Sequence, residues 1–280
     1  MRVRTDDGIG IEVHEWGGDG SPLLLAHPTG FHGRIWAPVA EALVLAGHRV
    51  VSFDFRGHGA SDPDPQSQYH WDQFALDALT VARWIDDPRL AAAGHSKGGT
   101  SLLAGAAGDP AIYTRLWCYE PIVFPAPAEP ALVTPPSPNP LAAGALRRRN
   151  EWQSRDEAYE SYASRPPLDA MDPRCLRAYV DYGLRDRGDG VFELTCAPET
   201  EAAVYSMGPA NGVWDRLPSV AVRVVVVGGG ESTHANSGHL AELAARLSDS
   251  TLEIWTGHGH FGPQADPDRA ASSIAATFRC

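Results

Sequence analysis

The chain alternates between short apolar runs and longer segments in which apolar residues recur every three or four positions. The first pattern predicts buried β-strands and the second predicts amphipathic helices. The predicted strands cover residues 9–16, 23–26, 49–53, 90–93, 116–119, 222–227 and 251–255. The predicted helices cover residues 37–46, 71–85, 99–107, 238–247 and 267–278. Such alternation indicates a mostly parallel sheet with helices on both faces.

This alternation breaks between residues 121 and 217. Residues 121–140 contain eight prolines, which excludes both a helix and a central strand there. Helical patterns follow at residues 141–162 and 173–184. We therefore predict an α/β core made of residues 1–120 and 218–280, with residues 121–217 inserted as a helical cap, or lid.

Composition narrows the class of protein. The 280 residues are 43% hydrophobic, enough for a large core, and the net charge of -12 argues against nucleic acid or an anionic membrane as a partner. The sequence has no apolar run of membrane-spanning length and no apolar segment at its N-terminus. The four cysteines are scattered without C-x-x-C spacing. We expect free thiols and a cytoplasmic location.

The segment Gly94-His95-Ser96-Lys97-Gly98 fits the pattern G-x-S-x-G. In that pattern a serine sits on a sharp turn between a strand and a helix with its hydroxyl exposed. An apolar run precedes the segment and a small-residue helix is predicted after it. Glycines flank the serine because a Cβ at either position would collide with the neighbouring strand or helix. The alternative is a glycine-rich turn that happens to contain a serine.

A serine nucleophile needs a base, and the base needs an acid that orients it. In an open α/β sheet these groups gather at the carboxyl ends of the strands. His258 and His260 follow the last predicted strand, and Glu231 follows the valine-rich strand before it. We predict a triad of Ser96, Glu231 and His260, with His258 as the alternative base.

Four segments together resemble the motifs of the α/β-hydrolase superfamily, in order along the chain. They are residues 27–30 (HPTG), 54–62 (DFRGHGASD), 94–99 (GHSKGG) and 259–261 (GHF). The resemblance is to the serine esterase and lactonase branch with a helical cap. It implies an α/β-hydrolase fold, with a mostly parallel sheet of about eight strands flanked by helices.

The resemblance also implies roles for particular groups. The backbone amides of Thr29 and Lys97 would form the oxyanion hole, since Pro28 has no N–H to donate. The acid is a glutamate where aspartate is commoner, and its extra methylene changes its reach. The Lys97 side chain is expected to reach water, with a cation beside the pocket as the alternative.

Further candidates for substrate contact lie near these motifs or in the cap. They are His27, Phe31, Trp36, His95, Phe124 and Trp152. For the histidines the alternative is a hydrogen bond that holds a loop, and for the tryptophans it is packing in the core or cap. His234, His239, His258 and His260 match no compact zinc spacing, so we expect neither a metal nor a cofactor.

These observations predict a hydrolase that cleaves a carboxylic ester or lactone through an acyl-enzyme. The substrate would be a small to medium-sized, partly apolar molecule, and the protein a monomer or homodimer. Cleavage of a carbon–carbon bond, acyl transfer to another acceptor, or ligand binding with little turnover remain alternatives on the same fold.

Overall fold

A computed structural model describes residues 1–126, 139–208 and 211–278 of the chain. The strands are β1 (Arg2–Arg4), β2 (Gly10–Gly17), β3 (Pro22–Ala26), β4 (Arg49–Phe53), β5 (Ala91–His95), β6 (Arg115–Tyr119), β7 (Glu151–Trp152), β8 (Leu184–Asp186), β9 (Phe192–Leu194), β10 (Arg223–Gly229) and β11 (Ser250–Trp255). The helices are α1 (Ala37–Leu45), α2 (Trp71–Ile85), α3 (Lys97–Gly108), α4 (Pro140–Ala145), α5 (Arg155–Ala163), α6 (Pro173–Gly183), α7 (Pro198–Ser206), α8 (Val213–Arg216), α9 (Ser237–Arg246), α10 (Gly262–Ala265) and α11 (Pro267–Phe278).

Eight of the strands form one sheet in the order β1-β2-β4-β3-β5-β6-β10-β11. The pairs β1–β2 and β2–β4 are antiparallel, and every other neighbouring pair is parallel. The central strands β3 and β5 are buried along their whole length, as expected for a sheet covered on both faces. The predicted fold class is confirmed.

Helices cover the two faces of this sheet with separate apolar clusters. Val39 of α1 and Ile274 of α11 belong to the cluster on one face. Phe74 of α2, Leu102 of α3 and Leu240 of α9 belong to the cluster on the other. Burial of both sheet faces leaves the strand ends as the place where polar side chains can meet a ligand.

The segment predicted as a cap contains α4 to α8 and a second, three-stranded sheet in the order β7-β9-β8. The predicted helical stretch over residues 141–162 is confirmed at its two ends by α4 and α5 and is wrong in the middle. The chain makes strand β7 in the middle of that range and starts α5 afresh, because the Ser154 side chain accepts a hydrogen bond from the Glu157 amide and caps the helix. Much of the proline-rich segment, residues 127–138, lies outside the described residues.

Other sequence expectations concern the thiols and the membrane. Cys118, Cys175 and Cys196 are buried free thiols, and Cys280 lies outside the described residues. Within the described part of the chain, none of the helices combines the length and the apolar character needed to cross a bilayer.

Candidate active site

Ser96 sits between the end of β5 and the start of α3 in a backbone conformation that non-glycine residues rarely adopt. Its φ is 54° and its ψ is −119°. The Ser96 amide donates to the Tyr119 carbonyl of the neighbouring strand at 2.8 Å, which holds the turn in place. Strain of this kind is typical of functional turns, and it directs the hydroxyl away from the sheet.

The flanking glycines allow this turn to form. A Cβ at Gly94 would lie 2.6 Å from the Gly98 carbonyl carbon, and a Cβ at Gly98 would lie 2.2 Å from the Ala26 carbonyl oxygen. Both distances are too short for real atoms. The steric reason for glycine inferred from the sequence therefore holds in the structure.

Glu120 occupies the matching position on the adjacent strand, directly after β6. Its side chain is fully buried, and its φ of 40° is also positive. The carboxylate accepts hydrogen bonds from the Gly229 amide at 2.8 Å and the Ser232 hydroxyl at 2.7 Å. The third donor is the Nδ1–H of His260, at 2.6 Å.

His260 is therefore oriented by Glu120. Because a carboxylate only accepts, the proton of the imidazole lies on Nδ1 and the lone pair on Nε2. Both His260 and Ser96 line the same cavity. Nε2 is the nitrogen left to take a proton from a neighbouring hydroxyl.

Glu231 does not occupy the position predicted for it. It lies beyond the end of β10, its side chain is exposed, and its amide donates to the His258 carbonyl at 2.9 Å. The carboxylate beside His260 belongs to Glu120. A signal for this was present in the sequence, because Glu120 directly follows the predicted strand 116–119.

The two residues predicted to form an oxyanion hole lie beside Ser96. Thr29 follows β3 and Lys97 is the first residue of α3, and both line the cavity that contains Ser96 and His260. Amides in the first turn of a helix have no partner four residues earlier within that helix. The Lys97 amide is therefore available to an oxygen in the cavity.

The prediction that the Lys97 side chain reaches water is wrong. The residue is completely buried, and its Nζ lies 4.3 Å from the ring centre of Phe55 and 4.4 Å from that of Phe74. Nζ donates to His58 Nε2 at 3.3 Å, since the Nδ1 of His58 donates to the Arg56 carbonyl. Burial lowers the pKa of Lys97 from 10.5 to about 7.

His27 connects the loop after β4 to the segment that carries Thr29. His27 Nδ1 donates to the Pro28 carbonyl at 2.7 Å, and its Nε2 accepts from the Phe55 amide at 3.0 Å. Burial holds the pKa of His27 well below its ordinary value, so the ring is neutral. Asp54 accepts from the amides of Gly33 and Ala60 and so closes the loop.

The cavity above Ser96 has a volume of about 480 Å³. Its wall is largely apolar, with side chains from Trp71, Ile122, Phe124, Leu141, Val204 and Phe261. Polar groups come from Thr29, Asn139, Tyr205 and His234. A pocket of this size and character suits a small organic molecule.

Of the six predicted substrate contacts, the structure places Phe124 in this cavity. The other five are buried in the core or the cap and are not among the residues that line it. These are His27, Phe31, Trp36, His95 and Trp152. They were chosen for closeness to motifs along the chain, which does not fix the direction in which a side chain points.

The remaining histidines have separate environments. His239 stacks on Phe124 with ring centres 4.1 Å apart, and His258 packs edge-on against Trp255. Among the described residues, no group of three or more histidine, cysteine, aspartate or glutamate side chains is arranged to hold a metal ion. His234 lies on the ring of His260.

Comparisons with known proteins bear on the family and the fold of the chain. Residues 23–273 match the sequence model of a family described as the alpha/beta hydrolase family. A non-heme chloroperoxidase of Kitasatospora aureofaciens is 30% identical over 167 residues, which are 58% of this chain and 60% of the relative. The chain thus spans less than two thirds of the length of that relative.

Two further matches cover more of the chain. A bifunctional esterase/perhydrolase of Acinetobacter calcoaceticus is 28% identical over 221 residues, 71% of this chain and 75% of the relative. The crystal structure of E-2-(acetamidomethylene)succinate hydrolase superposes with a TM-score of 0.81 at 19% identity, covering 99% of this chain and 98% of that one. At that identity the second match shows a common fold.

Proposed function

Because the chain belongs to the alpha/beta hydrolase family, we propose that it is a serine hydrolase that cleaves a neutral carboxylic ester or lactone. Ser96 would be the nucleophile, His260 the base and Glu120 the acid that orients it. The observation that carries the proposal is the 2.6 Å hydrogen bond from His260 Nδ1 to a buried carboxylate, beside a strained serine in the same cavity.

The reaction would proceed in two steps. Ser96 Oγ attacks the carbonyl carbon while His260 Nε2 takes its proton, and the amides of Thr29 and Lys97 donate to the oxyanion. The imidazolium returns the proton to the leaving alkoxide, which departs as the alcohol. Water then attacks the acyl-enzyme with His260 again as the base, releasing the acid and restoring Ser96.

The wall of the cavity supports a neutral substrate. Among the described residues that line it, none is an arginine or a carboxylate, and the ammonium of Lys97 lies against Phe55 and Phe74. A charged group on the substrate would lose its hydration there without gaining an ion pair. The esterase named among the relatives supports an ester as the bond that is cleaved.

The first test is labelling with a fluorophosphonate probe. Wild type should be labelled and Ser96→Ala should not, whereas Ser101→Ala should be labelled like wild type. Ser101 is a suitable control because it is buried in α3, the helix that follows Ser96, and its hydroxyl donates to the Lys97 carbonyl. Labelling of Ser96→Ala at the wild-type rate would overturn the proposal.

The second test compares two substrates of the same length. p-Nitrophenyl butyrate and p-nitrophenyl hemisuccinate differ chiefly in the terminal carboxylate of the second. We expect kcat/KM to be at least about tenfold higher for the butyrate, because desolvation of the carboxylate is not repaid. Equal or reversed values would contradict a neutral substrate and leave the nucleophile unaffected.

A further inference from the structure

His234 is a cavity residue that the proposed reaction does not use, and its ring lies almost flat on that of His260. The two ring centres are 4.4 Å apart and the planes differ by 20°. His234 as a whole is exposed, whereas the side chain of His260 is only 10% exposed. His234 therefore covers one face of the imidazole that would act as the base.

The loop that carries His234 is attached to the same carboxylate as His260. The Ser232 hydroxyl donates to Glu120 Oε2 at 2.7 Å and accepts from the His234 amide at 3.2 Å. His260 donates to the same Oε2 atom. One carboxylate oxygen thus fixes both the base and the loop that stacks on it.

Three titratable groups face His234. His260 and Glu120 act on it directly, and His95, whose ring centre lies 4.8 Å from that of His260, also interacts with it electrostatically. Partial burial and then repulsion from His260 lower the pKa of His234 below its ordinary value, while Glu120 acts in the opposite sense. Burial keeps the pKa of His95 well below its ordinary value, so that ring is neutral.

We propose that His234 is a positioning residue for the base, holding the His260 ring against Glu120 and stabilising its cationic form while His234 itself is neutral. The face of a neutral aromatic ring attracts a cation. Once His234 is protonated, its charge opposes the protonation of His260 that each step requires. The kinetic part of this inference rests on the proposed function.

A titration that needs no turnover tests the coupling of the two rings. The variant His260→Phe keeps a stacked ring and removes its charge, so we expect the NMR titration midpoint of His234 to rise. The substitution removes the electrostatic repulsion from His260, whereas an aromatic ring still covers the His234 ring. An unchanged midpoint would show that the rings do not interact, and would overturn the proposal.

The rate of fluorophosphonate labelling between pH 5 and pH 8 tests the effect on Ser96. The variant His234→Phe keeps the ring but cannot take up a proton. In wild type a protonated His234 opposes the protonation of His260, which keeps the base available as the pH falls. The variant lacks this charge, so its labelling rate should fall to half of its pH 8 value at a pH about half a unit higher than in wild type. His234→Ala should be slower at both pH values, because the support for the His260 ring is lost.

The matched control is His258→Phe. His258 is close to His260 in sequence, but its Nδ1 donates to the Thr256 carbonyl and its ring packs against Trp255. We expect its normalised profile to follow wild type. Superimposable profiles for wild type and His234→Phe would contradict the proposal. An unlabelled wild type would overturn the proposed function, and the NMR titration would then decide whether the rings are coupled.

Discussion

His260 and Glu120 are 140 positions apart in the sequence, yet His260 Nδ1 lies 2.6 Å from Glu120 Oε2. The carboxylate also accepts from Gly229 and Ser232, so its position is fixed by donors from the end of β10 and the turn that follows it. A buried carboxylate held by three donors cannot turn away from the imidazole. In the proposed reaction, this pair leaves His260 Nε2 as the group that acts on Ser96.

Replacement of Glu120 by glutamine should lower kcat for ester hydrolysis by about 10²–10⁴-fold. Glutamine is nearly the same size but offers an amide, which disfavours the Nδ1–H tautomer and does not stabilise the imidazolium. Steady-state kinetics with a p-nitrophenyl ester measure the loss, and circular dichroism checks the fold.

Glu231→Gln is the matched control for that measurement. Its side chain is exposed and lies past the end of β10, so we expect kcat to stay within about twofold of wild type. A large loss in Glu231→Gln together with a small loss in Glu120→Gln would restore the assignment made from the sequence.

Lys97 is the only lysine in the chain, which makes its ionisation directly observable. Protein labelled with ¹⁵N- or ¹³C-lysine should give one side-chain signal, with a titration midpoint near 7 instead of 10.5. The lowered value follows from burial of the ammonium among Phe55, Phe74 and His58. A midpoint near 10 would show that the ammonium is hydrated.

The same group makes folding stability depend on pH. Between about pH 7 and pH 10.5 the unfolded chain holds a proton on Lys97 that the folded protein lacks. The free energy of unfolding therefore rises with pH in this window, by about 1.4 kcal/mol per pH unit from this group. The variant Lys97→Met removes the titrating group. Urea unfolding at pH 7.5 and 9.5 should show that the free energy of unfolding rises more steeply with pH in wild type than in this variant, by the slope given above. Parallel pH dependences of the two proteins would refute the prediction.

Gly30→Ala should disturb the loop that carries Thr29. Gly30 has a φ of +78°, and a Cβ there would lie 2.3 Å from Glu201 Oε1, a buried carboxylate that pairs with Arg148. Glu201 is held by Arg148, which also donates to the Tyr179 hydroxyl, so we expect the loop to shift. We expect kcat to fall by about tenfold or more, because an oxyanion donor is misplaced.

Gly8→Ala provides the backbone control for this substitution. Gly8 has a φ of +88°, and a Cβ added there would meet no atom within 4 Å, so the substitution carries the same conformational strain without a clash. We expect Gly8→Ala to lower thermal stability and leave kcat near wild type. Equal losses of kcat in Gly8→Ala and Gly30→Ala would rule out an effect specific to the loop that carries Thr29.

Leu141→Trp should make the enzyme prefer shorter acyl chains. Leu141 lies on the cavity wall and is 46% exposed, so a larger side chain can narrow the cavity without disturbing the core. We expect kcat/KM for p-nitrophenyl octanoate to fall about tenfold relative to the acetate. Leu45→Trp, at a 90% exposed position on α1, should leave the ratio unchanged.

The sequence by itself determined the elements of the core and the two residues that local patterns identify. Helix 71–85 and strand 49–53 have the predicted bounds, because apolar periodicity records which face of an element is buried. Ser96 needs its flanking glycines for steric reasons, and His260 follows the last strand of the sheet. Each of these signals lies within a few consecutive residues.

The tertiary structure decided which carboxylate lies beside His260 and which side chains surround Lys97. Glu120 and Glu231 both follow strands of one sheet, and nothing along the chain shows that the first turns inward while the second lies in solvent. The sequence likewise does not show that the Lys97 ammonium lies over the rings of Phe55 and Phe74. Side-chain direction and the order of strands across the sheet depend on contacts between distant segments, which periodicity does not record.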